Sequence, residues 1–236
     1  MIIVSIVLKD VSKVYKLGDI ETYALKNISI TIDDGEFLVI LGPSGSGKST
    51  LLNVISGLDD VTSGEIKFNN EIISNYNSKE LTYFRRGNLG FIFQQYNLLQ
   101  NLNVRENVEI GSAIGKNPLD IDEILEKVHL LSQKYKYPSQ LSGGEQQRVS
   151  IARSIAKNPS ILFCDEPTGA LDEDTGKRIL DIIQKMNEEY STTTVVITHN
   201  PNIALMADRV IKMNSGKIEE IVKIENKKNA FEIKWG

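Results

Sequence analysis

The segment GPSGSGKST, residues 42–50, constrains the fold of this chain more than any other feature of its sequence. It follows the apolar run FLVIL and opens the helical pattern STLLNVISGL, so it fits G-x-x-x-x-G-K-[ST] in the strand, loop and helix context that this motif requires. Glycines let successive backbone N–H groups point into one concavity, and the helix dipole adds positive potential there. A glycine-rich turn with a solvated lysine is the alternative interpretation, and the flanking strand and helix argue against it. The sequence therefore predicts a site for the phosphates of a nucleoside triphosphate.

The residues of this loop have distinct expected roles. Lys48 is expected to reach the β- and γ-phosphates and to act in catalysis, and the Ser49 hydroxyl is expected to coordinate Mg²⁺. The candidate nucleotide ligands in the loop are Gly42, Pro43, Ser44, Gly45, Ser46, Gly47, Lys48, Ser49 and Thr50.

Short apolar runs alternate with helical patterns along most of the chain. The runs EFLVILG, SILFCDE, TTVVITH and DRVIKMN are nearly continuous in apolar residues and are separated by helical segments such as TGKRILDIIQKMNEEY. This pattern is typical of an α/β fold in which a parallel sheet is covered on both faces. Earlier in the chain, IVLKDVSKVY and ALKNISITID predict an antiparallel β-layer, with Ile28, Ile30 and Ile32 pointing inward.

A helical insert is predicted between about residues 95 and 142. The patterns VRENVEIGSAI and LDIDEILEKVHLL are separated by GKNP, and the second places Ile121, Ile124, Leu125 and Val128 on one face. His129 lies within this second helical pattern and is interpreted as a structural residue.

The composition argues against several classes of protein. A net charge of −4 and a pI near 5.4 give no electrostatic footprint for nucleic acid. A single cysteine, Cys164 in the apolar run ILFC, excludes an internal disulfide and is expected in the core. No apolar run is long enough to span a membrane, and the opening MIIVSIVL lacks the features of a signal peptide. We therefore expect a cytosolic chain.

Two acidic residues follow the apolar strand SILFC. Asp165 and Glu166 stand where open α/β sheets place their ligands. Taken alone, such a pair is more often part of a turn; beside a phosphate loop, Asp165 is expected to hold Mg²⁺ and Glu166 to activate a water molecule as a general base. His199 ends the strand TTVVIT, and Gln94 follows FIF, so both are expected at the same sheet edge. His199 is then placed near the γ-phosphate and Gln94 near Mg²⁺.

The segment LSGGEQQR, residues 141–148, begins an amphipathic helix with two adjacent glycines. Ser142 and Glu145 have the spacing of a capping box, which explains them without a ligand. It does not explain Gly143 and Gly144, since each glycine costs about 1 kcal/mol relative to alanine inside a helix. A helix start without side chains is an anion site. Because Lys48 already belongs to a phosphate loop, we expect this second site to contact the nucleotide of another copy of the chain.

These motifs together resemble the ATP-binding cassette (ABC) ATPases, and LSGGEQQR is that family's signature. The resemblance covers residues 1–236 and implies a single ABC ATPase domain with the P-loop NTPase fold. Such a domain has a RecA-like parallel sheet core, an antiparallel β-layer and an α-helical subdomain, here inserted at about 95–142. In the family, two cassettes dimerise head to tail and enclose two ATP molecules, each between the phosphate loop of one chain and the signature of the other. The implied ligands are ATP and Mg²⁺, and one implied partner is a second copy.

The resemblance also implies roles for individual residues. Tyr15 in VYK matches the aromatic residue that stacks on adenine, although it could equally belong to the core of the β-layer. Gln94 matches the glutamine that links Mg²⁺ to the membrane partner. Asp172 in GALD matches an aspartate at the dimer interface, and its alternative role is a helix N-cap. Glu166 matches the catalytic glutamate, and His199 matches the histidine that contacts the γ-phosphate.

Within the family, the segments GFIFQQYNLL and DEPTGALD resemble the branch that serves macrolide export, lipoprotein release and antimicrobial-peptide resistance. This implies an ATPase that drives a separate integral-membrane permease from the cytoplasmic face of the membrane. Two alternatives remain open. One is a DNA-repair or translation ABC protein, which usually carries paired cassettes or a long coiled coil. The other is a cell-division cassette that signals through its membrane partner without transport.

Two segments keep alternative interpretations. Tyr96 to Leu99, just past Gln94, belong either to the core or to a surface that meets the permease. Trp235 docks either on the core or on a partner.

Overall fold

The computed structural model describes residues 6–235 of the protein. The first five residues of the run MIIVSIVL, and Gly236, lie outside the described residues.

A six-stranded sheet forms the centre of the structure. Its strands are β3 (Phe37–Leu41), β6 (Leu89–Phe93), β7 (Ile161–Asp165), β8 (Thr193–Thr198), β9 (Arg209–Asn214) and β10 (Lys217–Lys223). The spatial order is β10-β9-β3-β8-β7-β6, and every neighbouring pair is parallel except β10 with β9. The predicted α/β fold with a parallel sheet is therefore confirmed.

A second, antiparallel sheet forms the β-layer. It contains β1 (Ile6–Leu17), β2 (Ile20–Ile32), β4 (Ser63–Phe68) and β5 (Glu71–Ile72), in the order β2-β1-β4-β5. The side chains of Ile28, Ile30 and Ile32 are buried, as their alternation predicts. The sequence did not predict β4 and β5, which are short; β4 pairs with β1, and β5 pairs with β4 and completes the layer.

Six α-helices lie in the described part of the chain, and four of them coincide closely with helical patterns predicted from the sequence. They are α1 (Lys48–Ile55), α2 (Ser78–Asn88), α3 (Val104–Ala113), α4 (Ile121–Lys127), α5 (Gly143–Ala156) and α6 (Glu173–Tyr190). Helix α2 was not predicted, although Asn77 and Glu80 form a capping box at its start.

Helix α4 is shorter than predicted, and the helical placement of His129 was wrong. His129 has φ of +56° and lies just past the helix end. The N–H of Leu130 donates to the carbonyl of Leu125 at 2.7 Å, which is the hydrogen bond of a Schellman motif. The chain reverses there so that Val128 and Leu130 are both buried.

Alternate residues of the central strands pack on opposite faces of the sheet. Val39 and Cys164 lie in the core shared with α3 to α6, whereas Leu38 and Phe163 lie in the core shared with α1 and the β-layer. Cys164 is fully buried, as expected. Among residues 6–235, no helix is both long and apolar enough to cross a bilayer.

Candidate functional site

Ten of the predicted site residues meet where β3, β7 and β8 end. Leu41 pairs with Thr198, and Asp165 pairs with Ile197, so the three strands deliver their next residues to one edge of the sheet. A cavity of about 900 Å³ opens at this edge. Its lining includes the predicted residues Ser44, Gly45, Ser46, Gly47, Lys48, Ser49, Thr50, Asp165, Glu166 and His199.

Lys48 lies inside the curve of the phosphate loop. Its ammonium donates to the carbonyls of Gly42 at 2.8 Å and Pro43 at 2.9 Å, and only 8% of the residue is exposed. Gly42 and Pro43 therefore contribute to the site through Lys48 and do not line the cavity. This arrangement concentrates positive charge where phosphates are expected to bind.

Backbone contacts attach the β-layer to the phosphate loop. Gly47 has φ of +100°, and a Cβ there would lie 2.6 Å from the carbonyl oxygen of Ala24. Gly216, in the turn between β9 and β10, has φ of +79°, and a Cβ there would lie 2.7 Å from the same oxygen. The Gly216 N–H also donates to the Ser46 carbonyl at 3.0 Å. Because both positions need a left-handed backbone and a close approach, only glycine fits there without strain.

The cavity also has lining residues that sequence analysis missed. They are Thr22, Tyr23, Ala24, Lys26, Ile197, Ser215 and Gly216. Most come from β2 and from the β9–β10 turn, which are far apart in sequence. The segment NSG at 214–216 is a turn signal, but nothing in it indicates which loop it contacts.

The carboxyl group of Asp165 lies in an environment that disfavours its charge. Burial raises its pKa, and the nearby charge of Glu166 raises it further, whereas the charge of Lys48 and a hydrogen bond with Ser49 act in the opposite direction. A divalent cation here would offset the desolvation of the carboxylate. Mg²⁺ commonly binds through one or two protein oxygens together with substrate phosphates. The Ser49 hydroxyl beside Asp165 therefore fits Mg²⁺, although residues 6–235 contain no cluster of three or more acidic, histidine or cysteine side chains.

Glu166 and His199 form a hydrogen-bonded pair at the cavity wall. Oε1 of Glu166 lies 2.8 Å from Nδ1 of His199, and the Thr198 hydroxyl donates to Oε2 at 3.2 Å. Glu166 adopts φ of +48°, and its N–H donates to the Ile197 carbonyl at 2.9 Å. With this unusual backbone conformation, the carboxylate of Glu166 lies within hydrogen-bond distance of both His199 and Thr198.

The signature segment forms the predicted capping box. The Ser142 hydroxyl accepts from the Glu145 N–H at 3.3 Å, and Glu145 accepts from the Ser142 N–H at 2.7 Å. The two glycines also have packing roles within the chain. A Cβ on Gly143 would lie 2.8 Å from the Tyr96 hydroxyl, and one on Gly144 would lie 2.3 Å from the Thr175 methyl group.

Other predicted ligands lie outside the cavity lining. Tyr15 is 43% exposed, and its hydroxyl donates to Asp59 at 2.8 Å, whereas Tyr23 lines the cavity. The amide of Gln94 lies against Gly169, which follows Glu166 in the loop after β7. Ser142, Gly143, Gly144 and Asp172 also contribute nothing to the cavity lining within one chain. The assigned nucleotide contacts of these residues stay predictions.

Asp172 acts as the N-cap of α6, because its carboxylate accepts from the Thr175 N–H at 3.0 Å. The hydrogen bond corresponds to the helix N-cap, which was the alternative role for Asp172. In the segment after Gln94, Leu98 belongs to the core, whereas Leu99 is 47% exposed.

Comparison with known sequences gives one consistent family. The sequence model described as ABC transporter matches residues 25–169. A putative ABC transporter ATP-binding protein of Mycoplasma pneumoniae is 47% identical over 231 residues, 97% of this chain and 50% of that protein. The chain thus spans about half the length of this relative. MJ0796, an uncharacterized ABC transporter ATP-binding protein of Methanocaldococcus jannaschii, is 44% identical over 230 residues, 92% of this chain and 96% of that protein.

Comparison with solved structures agrees. A dimeric structure of the cassette MJ0796 superposes with a TM-score of 0.84 at 43% identity, covering 94% of this chain and 99% of that one. A dimeric post-hydrolysis structure of MJ0796 bound to ADP and Pi also has a TM-score of 0.84, at 42% identity and with the same coverage.

Proposed function

The chain belongs to the ABC transporter family as one of its ATPases, and from that premise we propose that it dimerises head to tail on MgATP and hydrolyses it to drive a separate membrane permease. The observation that carries this proposal is the pairing of Glu166 with His199 at the wall of the cavity that also holds Lys48. A carboxylate in this place can accept a proton from a water molecule that attacks the γ-phosphate.

Each group of the site has a task in this reaction. Lys48 and the loop amides stabilise negative charge on the phosphates. Ser49, Asp165 and Gln94 would hold Mg²⁺, which would offset negative charge on the phosphate oxygens. Glu166 takes the proton of the attacking water, and His199 holds the Glu166 carboxylate and contacts the γ-phosphate.

The position of the signature helix supports the dimer. None of the signature residues 141–148 lines the nucleotide cavity of its own chain. Ser142 is exposed and Gly143 is partly exposed, so we expect the first turn of α5 to contact a nucleotide held by a second copy, together with Asp172. The dimeric structures of MJ0796, one of them with ADP and Pi, support this assembly.

Membership of the family and an exposed apolar residue past Gln94 support a permease partner. Leu99 lies a few residues past Gln94 and exposes 47% of its surface, so it is a candidate contact for the permease. Such a contact would place the chain at the cytoplasmic face of the membrane. Export of peptides, antibiotics or lipoproteins is the transport role that we propose, and co-purification would identify the permease and distinguish export from signalling.

The test of this function is sedimentation velocity of Glu166→Gln with and without MgATP, beside steady-state ATPase rates. We expect the variant to lose about 100-fold or more in turnover and to form an ATP-dependent dimer, because nucleotide binding persists while water activation is lost. Glu126→Gln, on the exposed side of α4, is the matched control and should behave like the wild type. A Glu166→Gln variant that binds ATP yet stays monomeric, also beside the co-purified permease, would contradict the head-to-tail dimer.

A further inference from the structure

The segment 224–235, which follows β10, is folded back against the loop that follows His199. The Ile224 N–H donates to the Asp208 carbonyl at 2.9 Å, and the Lys228 N–H donates to the Leu205 carbonyl at 2.9 Å. Ala230 and Ile233 are buried in the core on the α6 side of the sheet. The segment therefore holds a fixed position along the turn 203–206.

This segment places the indole of Trp235 directly on helix α6. A Cβ added to Gly176 would lie 2.1 Å from Cη2 of Trp235 and 2.7 Å from Cζ2. Gly176 lies in the first turns of α6, and its N–H donates to the Asp172 carbonyl at 2.8 Å. The glycine, which is unfavourable inside a helix, therefore makes room for the indole.

Trp235 also lines a second cavity, of about 230 Å³, next to the catalytic pair. Glu166 and His199 line both this cavity and the nucleotide cavity. The pair therefore forms part of the wall between the two spaces. Leu171 and Pro201 border the second cavity as well, so the indole faces both the loop after Glu166 and the loop after His199.

We infer that Trp235 is a positioning residue for Glu166 and His199. The indole packs on the start of α6 and borders the loops that carry the two catalytic residues, so it fixes the relative position of these three segments. The His199 side chain is 71% exposed, so its position depends on the packing of its loop. Without the indole, the Glu166 carboxylate and the His199 ring lose their alignment, while the phosphate loop is unaffected. This inference rests on the proposed ATPase function.

The first test compares steady-state kinetics of three variants. We expect Trp235→Ala to lower kcat about 10-fold and to leave KM within about twofold, because misplacing a catalytic group affects the chemical step more than binding. Trp235→Phe retains a ring over Gly176 and should recover most of kcat. Phe231→Ala is the matched control, since Phe231 is an aromatic residue of the same segment with 58% exposure.

The second test uses Gly176. In the wild-type background, Gly176→Ala introduces a methyl group where the indole lies, so we expect it to displace Trp235 and lower kcat about as much as Trp235→Ala does. In the Trp235→Ala background the same substitution should change kcat less than twofold, because nothing remains to displace. Trp235 is the chain's only tryptophan, so a red shift of its emission in Gly176→Ala reports the displacement directly.

The outcomes separate this inference from the function on which it rests. An active wild type with unchanged kcat in Trp235→Ala, even with a lower Tm, would overturn the positioning role and leave the ATPase function intact. Additive effects of Gly176→Ala and Trp235→Ala on kcat would overturn it too. A wild type that neither binds nor hydrolyses MgATP would overturn the proposed function itself.

Discussion

Gly144 and Thr175 meet at a distance that leaves no room for a side chain on the glycine: a Cβ there would lie 2.3 Å from the Thr175 methyl group. The contact joins the signature helix α5 to α6, the helix capped by Asp172. Gly144 therefore has a packing role within its own chain. The sequence alone pointed to another role, an approach of the backbone to a phosphate.

The packing role predicts that Gly144→Ala is destabilising. Overpacking of this kind costs about 1–3 kcal/mol, which offsets the better helix propensity of alanine. Adding Thr175→Ser removes the opposing methyl group and keeps the hydroxyl, so the double variant should regain most of its stability. Urea denaturation of the single and double variants measures both effects.

The same pair of variants separates the two roles of the glycine. We expect the stable double variant still to dimerise poorly on MgATP, because the added methyl group lies between α5 and α6 and shifts the first turn of α5, whose N–H groups the partner's phosphates must approach. Sedimentation in a Glu166→Gln background measures this. Full recovery of the dimer would show that Gly144 serves packing alone.

Two exposed tyrosines compete for the role of adenine platform. The Tyr15 hydroxyl donates a hydrogen bond to Asp59, and the Lys13 ammonium lies 5.0 Å from the Tyr15 ring centroid. Tyr23, by contrast, lines the cavity and is 52% exposed. A ring that is already fixed binds a base with less loss of entropy. We expect Tyr15→Ala to weaken ATP binding about 10-fold, in line with a base–aromatic stacking energy of about 1–3 kcal/mol.

Tyr15→Phe is the control for the ring: it keeps the aromatic surface and loses the hydrogen bond to Asp59, so it should weaken ATP binding less than Tyr15→Ala does. Equilibrium titration with a fluorescent ATP analogue provides the affinities. If Tyr23→Ala weakens binding more than Tyr15→Ala does, the base stacks on Tyr23 and the sequence assignment of Tyr15 is incorrect.

Lys157, at the end of α5, should make stability depend on alkaline pH. Burial lowers the pKa of its ammonium to about 8, and the ammonium donates to the Arg85 carbonyl at 3.1 Å. The unfolded chain therefore binds more protons between pH 8 and about 10.5, so the stability of the wild type rises with pH in that window. Lys157→Met removes the free-energy cost of burying a charged ammonium, and we expect it to stabilise the protein by about 1–2 kcal/mol at pH 7.

The advantage of Lys157→Met should shrink as the pH rises through 8 towards 10. Denaturation at pH 7 and pH 9.5 tests this. Lys79→Met, at an exposed position of α2, is the control and should show little difference at either pH. A gain of equal size at both pH values would mean that the effect arises from packing.

The predicted site residues that line the cavity follow strands of the parallel sheet. Lys48 follows the loop after β3, Asp165 ends β7 and His199 comes directly after β8; because parallel strands end at one edge, local patterns were enough to place them together. Contacts between distant segments could not be read in this way. Nothing in the local sequence connects Gly176 to Trp235, or Tyr23 to the phosphate loop. The end of α4 was misplaced because a hydrophobic pattern does not show where the backbone reverses.

The carbonyl of Ala24 lies close to both Gly47 and Gly216. The three positions should therefore differ in which substitutions they tolerate. Position 24 contributes a backbone atom, so the identity of its side chain matters little to this contact. Positions 47 and 216 need a left-handed backbone and room for the Ala24 carbonyl, and the side chain of any other residue type would occupy that room. A library randomised at all three positions and selected for ATPase activity should therefore return varied residues at 24 and glycine at 47 and 216.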